Sequence, residues 1–298
     1  MKRRQFIKGS TLSAVAISTY GFALYDGTRY VGDCQTTTDI LGPFYRPNAP
    51  VRSNLVIAGM QGEEVVLRGR IMHDDCSTPI KDARVELWHC SAEEVYDNES
   101  NDYNYRGTTY CDSDGNYHFR TQMPVPYDAG GGMYRPAHFH IMVSATGYQN
   151  LVTQLYFTGD PYLEKDRSSN APNAKSRILD LQKDGDGTIM VPFDVIMQKE
   201  LPLDPVALDR LTGVYIDEKD KEKSMEFFKH EDQLWLKNEV FGENFQYVGK
   251  NTFELPSTGR WGSWQIQFEI LTDGNVKAIG TRAYDQDKKK ISTAIKRS

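Results

Sequence analysis

The segment Arg135-Pro136-Ala137-His138-Phe139-His140-Ile141-Met142-Val143-Ser144-Ala145 constrains this chain more than any other. Its β-branched and aromatic content reads as a strand. Side chains alternate across a strand, so His138 and His140 project from one face and stand side by side. That spacing alone is common, and a histidine on a half-buried strand is usually a surface or packing residue. Two tyrosines upstream change the weighing: Tyr96 after Val-Glu-Leu-Trp-His-Cys-Ser-Ala-Glu-Glu-Val, and Tyr127 in Met-Pro-Val-Pro-Tyr-Asp. Two phenols and two imidazoles suit ferric iron, because a hard trivalent cation is well neutralised by phenolate oxygens while imidazole completes the coordination.

From Glu64 to about Gln198 the chain reads as short strands: Val65–His73, Ala83–His89, Thr108–Cys111, Asn116–Thr121, Ala137–Ala145, Leu151–Phe157 and Thr188–Met197. Asp114-Gly115 reads as a hairpin turn between two of them, and short strands with such turns suggest an antiparallel β-sandwich. Tyr96 and Tyr127 fall in loops. Asp184-Gly185-Asp186-Gly187 reads as a turn, since the rest of an EF-hand is absent. Leu201-Pro202-Leu203-Asp204-Pro205 marks a boundary, beyond which alternating runs and Asp273-Gly274 indicate a smaller all-β unit over 205–298. Its acids, bases and aromatics form no evident catalytic set, which fits an accessory role.

The segments Gly42–Pro50 (GPFYRPNAP), Asp82–Cys90 (DARVELWHC), Asp112–Thr121 (DSDGNYHFRT), Tyr134–Val143 (YRPAHFHIMV) and Val152–Pro161 (VTQLYFTGDP) occur in one order. Together they resemble the intradiol ring-cleavage dioxygenases, especially the protocatechuate 3,4-dioxygenase branch, over residues 36–200. The resemblance implies a ferric, Fe(3+), centre held by Tyr96, Tyr127, His138 and His140, with Tyr127 the ligand that leaves when substrate binds. It implies that Arg135 stabilises the activated substrate and that Gln154 lines the pocket, which makes Arg135, Tyr127 and Gln154 the expected catalytic set. Tyr45, Arg46, Arg135 and Tyr156 are the expected substrate-binding residues, with Phe44 beside them, while Trp88 reads as core. The implied reaction inserts both atoms of O2 between the hydroxyl-bearing carbons of a catechol and yields a cis,cis-muconate-type diacid. The charge argument favours this ligand set. Two tyrosinates and a hydroxide neutralise the ferric ion, and a catechol dianion replacing the hydroxide and one tyrosinate keeps a buried site neutral.

A net charge of −6 with no basic stripe argues against nucleic acid as a partner. The expected partners are a catecholic small molecule and O2, with homo-oligomerisation open. Lys2-Arg3-Arg4-Gln5-Phe6-Ile7-Lys8 followed by a mildly apolar run from Thr11 to Leu24 resembles a twin-arginine export signal. Residues 1–30 are therefore expected to be signal and linker, and the mature protein a periplasmic or envelope protein that is not integral to the membrane. Export makes disulfides permissible, and Cys34, Cys76, Cys90 and Cys111 allow three full pairings among which the sequence does not choose. Cys90 and Cys111 are expected on strands. The helical N-terminal linker of catechol 1,2-dioxygenases is expected to be missing, since mostly signal-like sequence precedes the resemblance. The competing reading is a non-catalytic β-sandwich module that binds a carbohydrate, a protein or an aromatic ligand. In such a module the iron site would have decayed, with loss of a metal ligand or of Arg135, and all five residues are present.

Overall fold

The computed structural model describes residues 34–255, 263–283 and 289–297, together with the backbone of three short paired strands, Ala16–Ser18, Gly21–Tyr25 and Tyr30–Gly32. The basic stretch 2–8 expected to direct export lies outside the described residues. The chain is predominantly β. One five-stranded sheet contains, in spatial order, Ile178–Leu179, Leu151–Phe157, His138–Ser144, Arg84–Trp88 and Arg106–Tyr110. A second is built around Glu64–Met72, which pairs with Asn116–Gln122, Ile189–Pro192 and Val195–Ile196. Residues of both sheets, among them Val65, Leu67 and Phe119 from one and Val85, Leu87, Phe139, Ile141 and Leu155 from the other, form one apolar cluster.

The sheets are mixed rather than purely antiparallel. Ile178–Leu179 runs parallel to Tyr156–Phe157, and both Ile189–Pro192 and Val195–Ile196 run parallel to Glu64–Met72. The expected single strand Thr188–Met197 is interrupted between these last two pieces, where Asp194 leaves the ladder and accepts from the Arg70 amide. The Asp114-Gly115 hairpin is also corrected. Arg106–Tyr110 pairs with Arg84–Trp88, whereas Asn116–Gln122 pairs with Glu64–Met72, so the turn carries the chain from one sheet to the other. Gly115 is required there, because its φ is +76° and a Cβ would lie 2.6 Å from the Ile71 carbonyl oxygen. A two-residue turn signal specifies a reversal and cannot say which strand the chain pairs with afterwards.

Strand alternation explains how one sheet serves two purposes. Phe139, Ile141 and Val143 point into the core between the sheets, while His138, His140 and Met142 occupy the opposite face. Arg84–Trp88 and Leu151–Phe157 divide likewise, placing Glu86, Trp88, Val152, Gln154 and Tyr156 on the face with the histidines. This face would ordinarily meet water, yet it is buried.

Eight strands, from Gly213–Asp217 to Lys289–Lys296, form a closed barrel in consecutive antiparallel order, preceded by the helix Pro205–Leu211. Asp204 caps that helix by accepting from the Val206 amide, and Leu208 and Leu211 join the barrel's core of Tyr215, Phe227, Phe245, Phe253 and Phe268. Asp273-Gly274 is the expected hairpin turn, between Ser263–Ile270 and Val276–Ala283. Cys34 and Cys76 form a disulfide; Cys90 and Cys111 are free and buried, just beyond the ends of Arg84–Trp88 and Arg106–Tyr110 rather than on them.

Candidate metal centre and active site

His138 and His140 stand next to each other on the outer face of their strand, both 1% exposed, with their Nε2 atoms 3.1 Å apart. The His138 Nδ1–H donates to the Pro136 carbonyl at 2.6 Å, which leaves its Nε2 bare and aimed inward. The Tyr96 hydroxyl lies 3.4 Å from that nitrogen. The Tyr127 ring is 5.4 Å from Tyr96 and 5.7 Å from His138, centroid to centroid. The four residues anticipated as donors therefore meet in one buried place.

Different elements deliver the two tyrosines. Tyr96 sits in a loop that is pinned from several sides. Arg106 donates to the Asp97 carbonyl at 2.7 Å and to Asn98, while Arg46 donates to the carbonyls of Asp97 and Ser100. Phe44 stacks on the Tyr96 ring at 4.3 Å and meets Tyr127 edge-on at 6.1 Å. Tyr127 opens a two-residue strand instead of lying in a loop, and it pairs with Arg135 across a hairpin whose tip contains Gly130, Gly131 and Gly132. All three glycines have positive φ, and no neighbour would meet a Cβ on any of them. The segment over the histidines approaches closely at Gly42, where a Cβ would lie 3.0 Å from His140 Cε1.

Beside the four donors lies a buried polar array. Arg135 donates to Gln154 Oε1 at 2.7 Å, and its Nε stands 2.6 Å from Asp166, an ion pair whose angle does not make a hydrogen bond. The Tyr156 hydroxyl donates to Asp39 at 2.9 Å and lies 3.4 Å from Arg135. Asp39 in turn pairs with Arg177 at 2.5 Å, both side chains being wholly buried. Gln154 donates to the Ile40 carbonyl at 2.7 Å. Asp39, Asp166 and Arg177 were not singled out from the sequence. They carry no periodic signature, and only the partner each one finds marks its importance. Tyr45 and Arg46, expected at the substrate, stand outside the converging group: Arg46 secures the Tyr96 loop, and Tyr45 is buried against Trp88 with its hydroxyl toward Glu86.

Burial pushes the Tyr96 and Tyr127 phenols above their ordinary pKa and the His138 and His140 imidazoles well below theirs. Burial also works against the Arg135 cation, but Tyr156, Asp166 and Tyr127 outweigh it and keep the guanidinium charged. Neutral imidazoles suit metal ligation, and a bound cation reverses the penalty on the phenolates. The two Nε2 atoms, 3.1 Å apart, are close enough for one ion to be held by both. The two phenols stand beside the two imidazoles, so all four side chains could serve one ion. The residues present fit a hard trivalent ion.

Fold and site thus define a β-sheet protein with a buried centre of two phenols and two imidazoles, backed by a fixed arginine. A family model described as dioxygenase matches residues 40–199, more than half of the chain. Chlorocatechol 1,2-dioxygenase of Rhodococcus opacus is 31% identical over 199 residues, covering 58% of this chain and 76% of that protein. Hydroxyquinol 1,2-dioxygenase of Rhizobium sp. is 35% identical over 147 residues, covering 43% of this chain and 49% of that protein. The solved structure of hydroxyquinol 1,2-dioxygenase from Pseudomonas putida superposes with a TM-score of 0.50 at 25% identity, over 56% of this chain and 68% of that one. The chain belongs to the intradiol ring-cleavage dioxygenases. These relatives are named for catechol-type substrates, so the expected leaning toward the protocatechuate branch gains no support from them. The match ends at residue 199, before the barrel begins at Gly213.

Proposed function

We propose that this protein cleaves a catecholic ring between its two hydroxyl-bearing carbons, with ferric iron held by Tyr96, Tyr127, His138 and His140. Both atoms of O2 enter the product, a cis,cis-muconate-type diacid, so no external reductant is needed. The observation that carries this reading is the convergence of four buried donors beside the Arg135–Gln154–Tyr156 array. Ferric iron bound there would supply the Lewis acidity that lowers both phenolic pKa values of the catechol and holds the ring for O2.

The chain's own residues do the rest. Tyr127 is the exchangeable ligand, since its hairpin ends in three open glycines while the Tyr96 loop is pinned by Arg46 and Arg106. With iron bound, its phenolate oxygen would take one catechol proton on giving way to the substrate, which would conserve the buried charge. Arg135 remains a cation throughout and faces the negative charge that develops on the ring and on the incoming oxygen. Gln154 and Asp166 fix its guanidinium, and Tyr156, oriented by Asp39, presents the polar wall of the pocket.

The two sheets sharing one core are read as a β-sandwich over 36–200, with residues 205–298 as an accessory unit. The Cys34–Cys76 disulfide supports placement in an oxidising compartment reached by the twin-arginine-like signal. Among the described residues no helix is long and apolar enough to cross a membrane.

Purified iron-loaded protein should hold stoichiometric iron and absorb visible light through tyrosinate-to-iron charge transfer. Catechol, chlorocatechol, hydroxyquinol and protocatechuate should be compared for their ability to shift that band and to consume O2. His138→Ala should abolish colour and turnover together. A colourless protein that consumes no O2 with any of the four would leave only a binding module.

A further inference from the structure

The two histidines of the centre are oriented by different means. His138 is fixed by its hydrogen bond to the Pro136 carbonyl, whereas His140 Nδ1 has no hydrogen-bond partner among the described residues. A metal-ligating imidazole usually has its ring plane set by what its second nitrogen donates to. For His140 packing must do this. Trp88 lies flat against it, with centroids 4.9 Å apart and planes 9° from parallel. Tyr45 packs on Trp88 at 5.1 Å, and Phe241 of the barrel meets Tyr45 edge-on at 5.4 Å.

The barrel is built to supply that last contact. On its strand Gln233–Lys237 two consecutive residues are buried, which a barrel wall facing water would not require. Leu234 enters the barrel's own core, while Trp235, on the outer face, belongs to the cluster that contains Tyr45, Trp88, Tyr96 and Tyr127. Trp235 and Phe228 hold Phe241 from behind, with centroids 5.1 and 5.5 Å away. Polar contacts fasten the same seam. Arg84 pairs with Glu231 of the barrel and with Glu86, Gln233 donates to the Tyr148 carbonyl, and Gln246 donates to the Asn150 carbonyl.

We propose that the barrel is a positioning element for the metal centre: Phe241, acting through Tyr45 and Trp88, holds the His140 imidazole in its ligating plane. This rests on the metal-binding reading above, and it gives a role to residues beyond the part of the chain that the family match covers.

The test uses the full chain with Phe241→Ala, the milder Phe241→Leu, and Ile291→Ala at an exposed barrel position as control. In metal-free protein, the imidazole NMR signals of His140 should move away from the values that Trp88 stacking imposes, while those of His138 stay in place. In iron-loaded protein, release of iron to a chelator should quicken about tenfold in Phe241→Ala and about threefold in Phe241→Leu, with the control unchanged. Wild-type imidazole signals and release rates in both Phe241 variants would overturn the proposal, as would equal movement of the His138 and His140 signals. Should the wild-type chain take up no iron, the ring-cleavage reading falls, and the metal-free imidazole signals still decide whether the barrel sets the His140 plane.

Discussion

The sheet face that carries His138, His140, Gln154 and Tyr156 buries imidazole, guanidinium, amide and carboxylate groups, whereas the barrel's described residues bury one polar side chain, Asn244. The barrel interior is filled by Tyr215, Phe227, Phe245, Phe253 and Phe268, and the cleft beside it, lined by Leu208, Phe245 and Phe253, is about 10 Å³, room for a water at most. Buried polar groups cost free energy unless each finds a partner, so a fold concentrates them where chemistry needs them. Among its described residues the barrel buries no imidazole, guanidinium or carboxylate. What it offers the sheet is the aromatic contact of Phe241, held by Trp235, with Tyr45 proposed above to position His140.

This contrast can be broken most strongly at the barrel core. Phe227→Ala removes a ring packed against Tyr215, Phe245 and Phe268 and should destabilise the chain by about 3–5 kcal/mol. Thermal unfolding should show that loss while the visible band of the folded fraction keeps its position. A band that moves in the folded protein would mean that the barrel's interior, and not only its outer face, reaches the metal.

Arg135→Lys acts on the polar side of the comparison. The cation survives, but Lys cannot meet Gln154 and Asp166 with one planar group, and kcat should fall about 100-fold with the iron band retained. Steady-state O2 uptake measures it; an unchanged kcat would remove Arg135 from the chemistry.

The smallest effect lies at the seam between the two regions. Burial raises Glu86 to a pKa of about 7, with Glu231 adding to the shift and Arg84 opposing it. The folded chain therefore keeps a proton that the unfolded chain has released, and stability falls as pH rises from about 4.5 to about 7, by about 1.4 kcal/mol per pH unit at most. Glu86→Gln should flatten denaturation midpoints across that window. A slope as steep as that of the wild type would show that the carboxylate ionises freely beneath Tyr45.

Much of the centre was legible before any fold was known. The paired histidines were marked by strand alternation, and the resemblance to a known family added Tyr96, Tyr127 and, three residues before His138, Arg135. Strand positions were readable because alternation leaves a period in the sequence. Partner choice was not, as the turn at Asp114-Gly115 shows: the same residues serve a hairpin or a passage between sheets. Tyr45 illustrates the same limit. Its motif suggested a pocket wall, and its hydroxyl instead turns toward Glu86, behind Trp88.

By itself the sequence pointed to a mostly β chain through local period, and its resemblance to a known family pointed to Tyr96, Tyr127, His138 and His140 as a set, because motif order and strand alternation are both written along the chain. Only the tertiary structure decided the Cys34–Cys76 pairing, the Asp39–Arg177 and Asp166–Arg135 pairs, and the wall that runs from Phe241 to His140. Each of these joins residues far apart in the chain, and their energies depend on burial and approach, which no local pattern encodes.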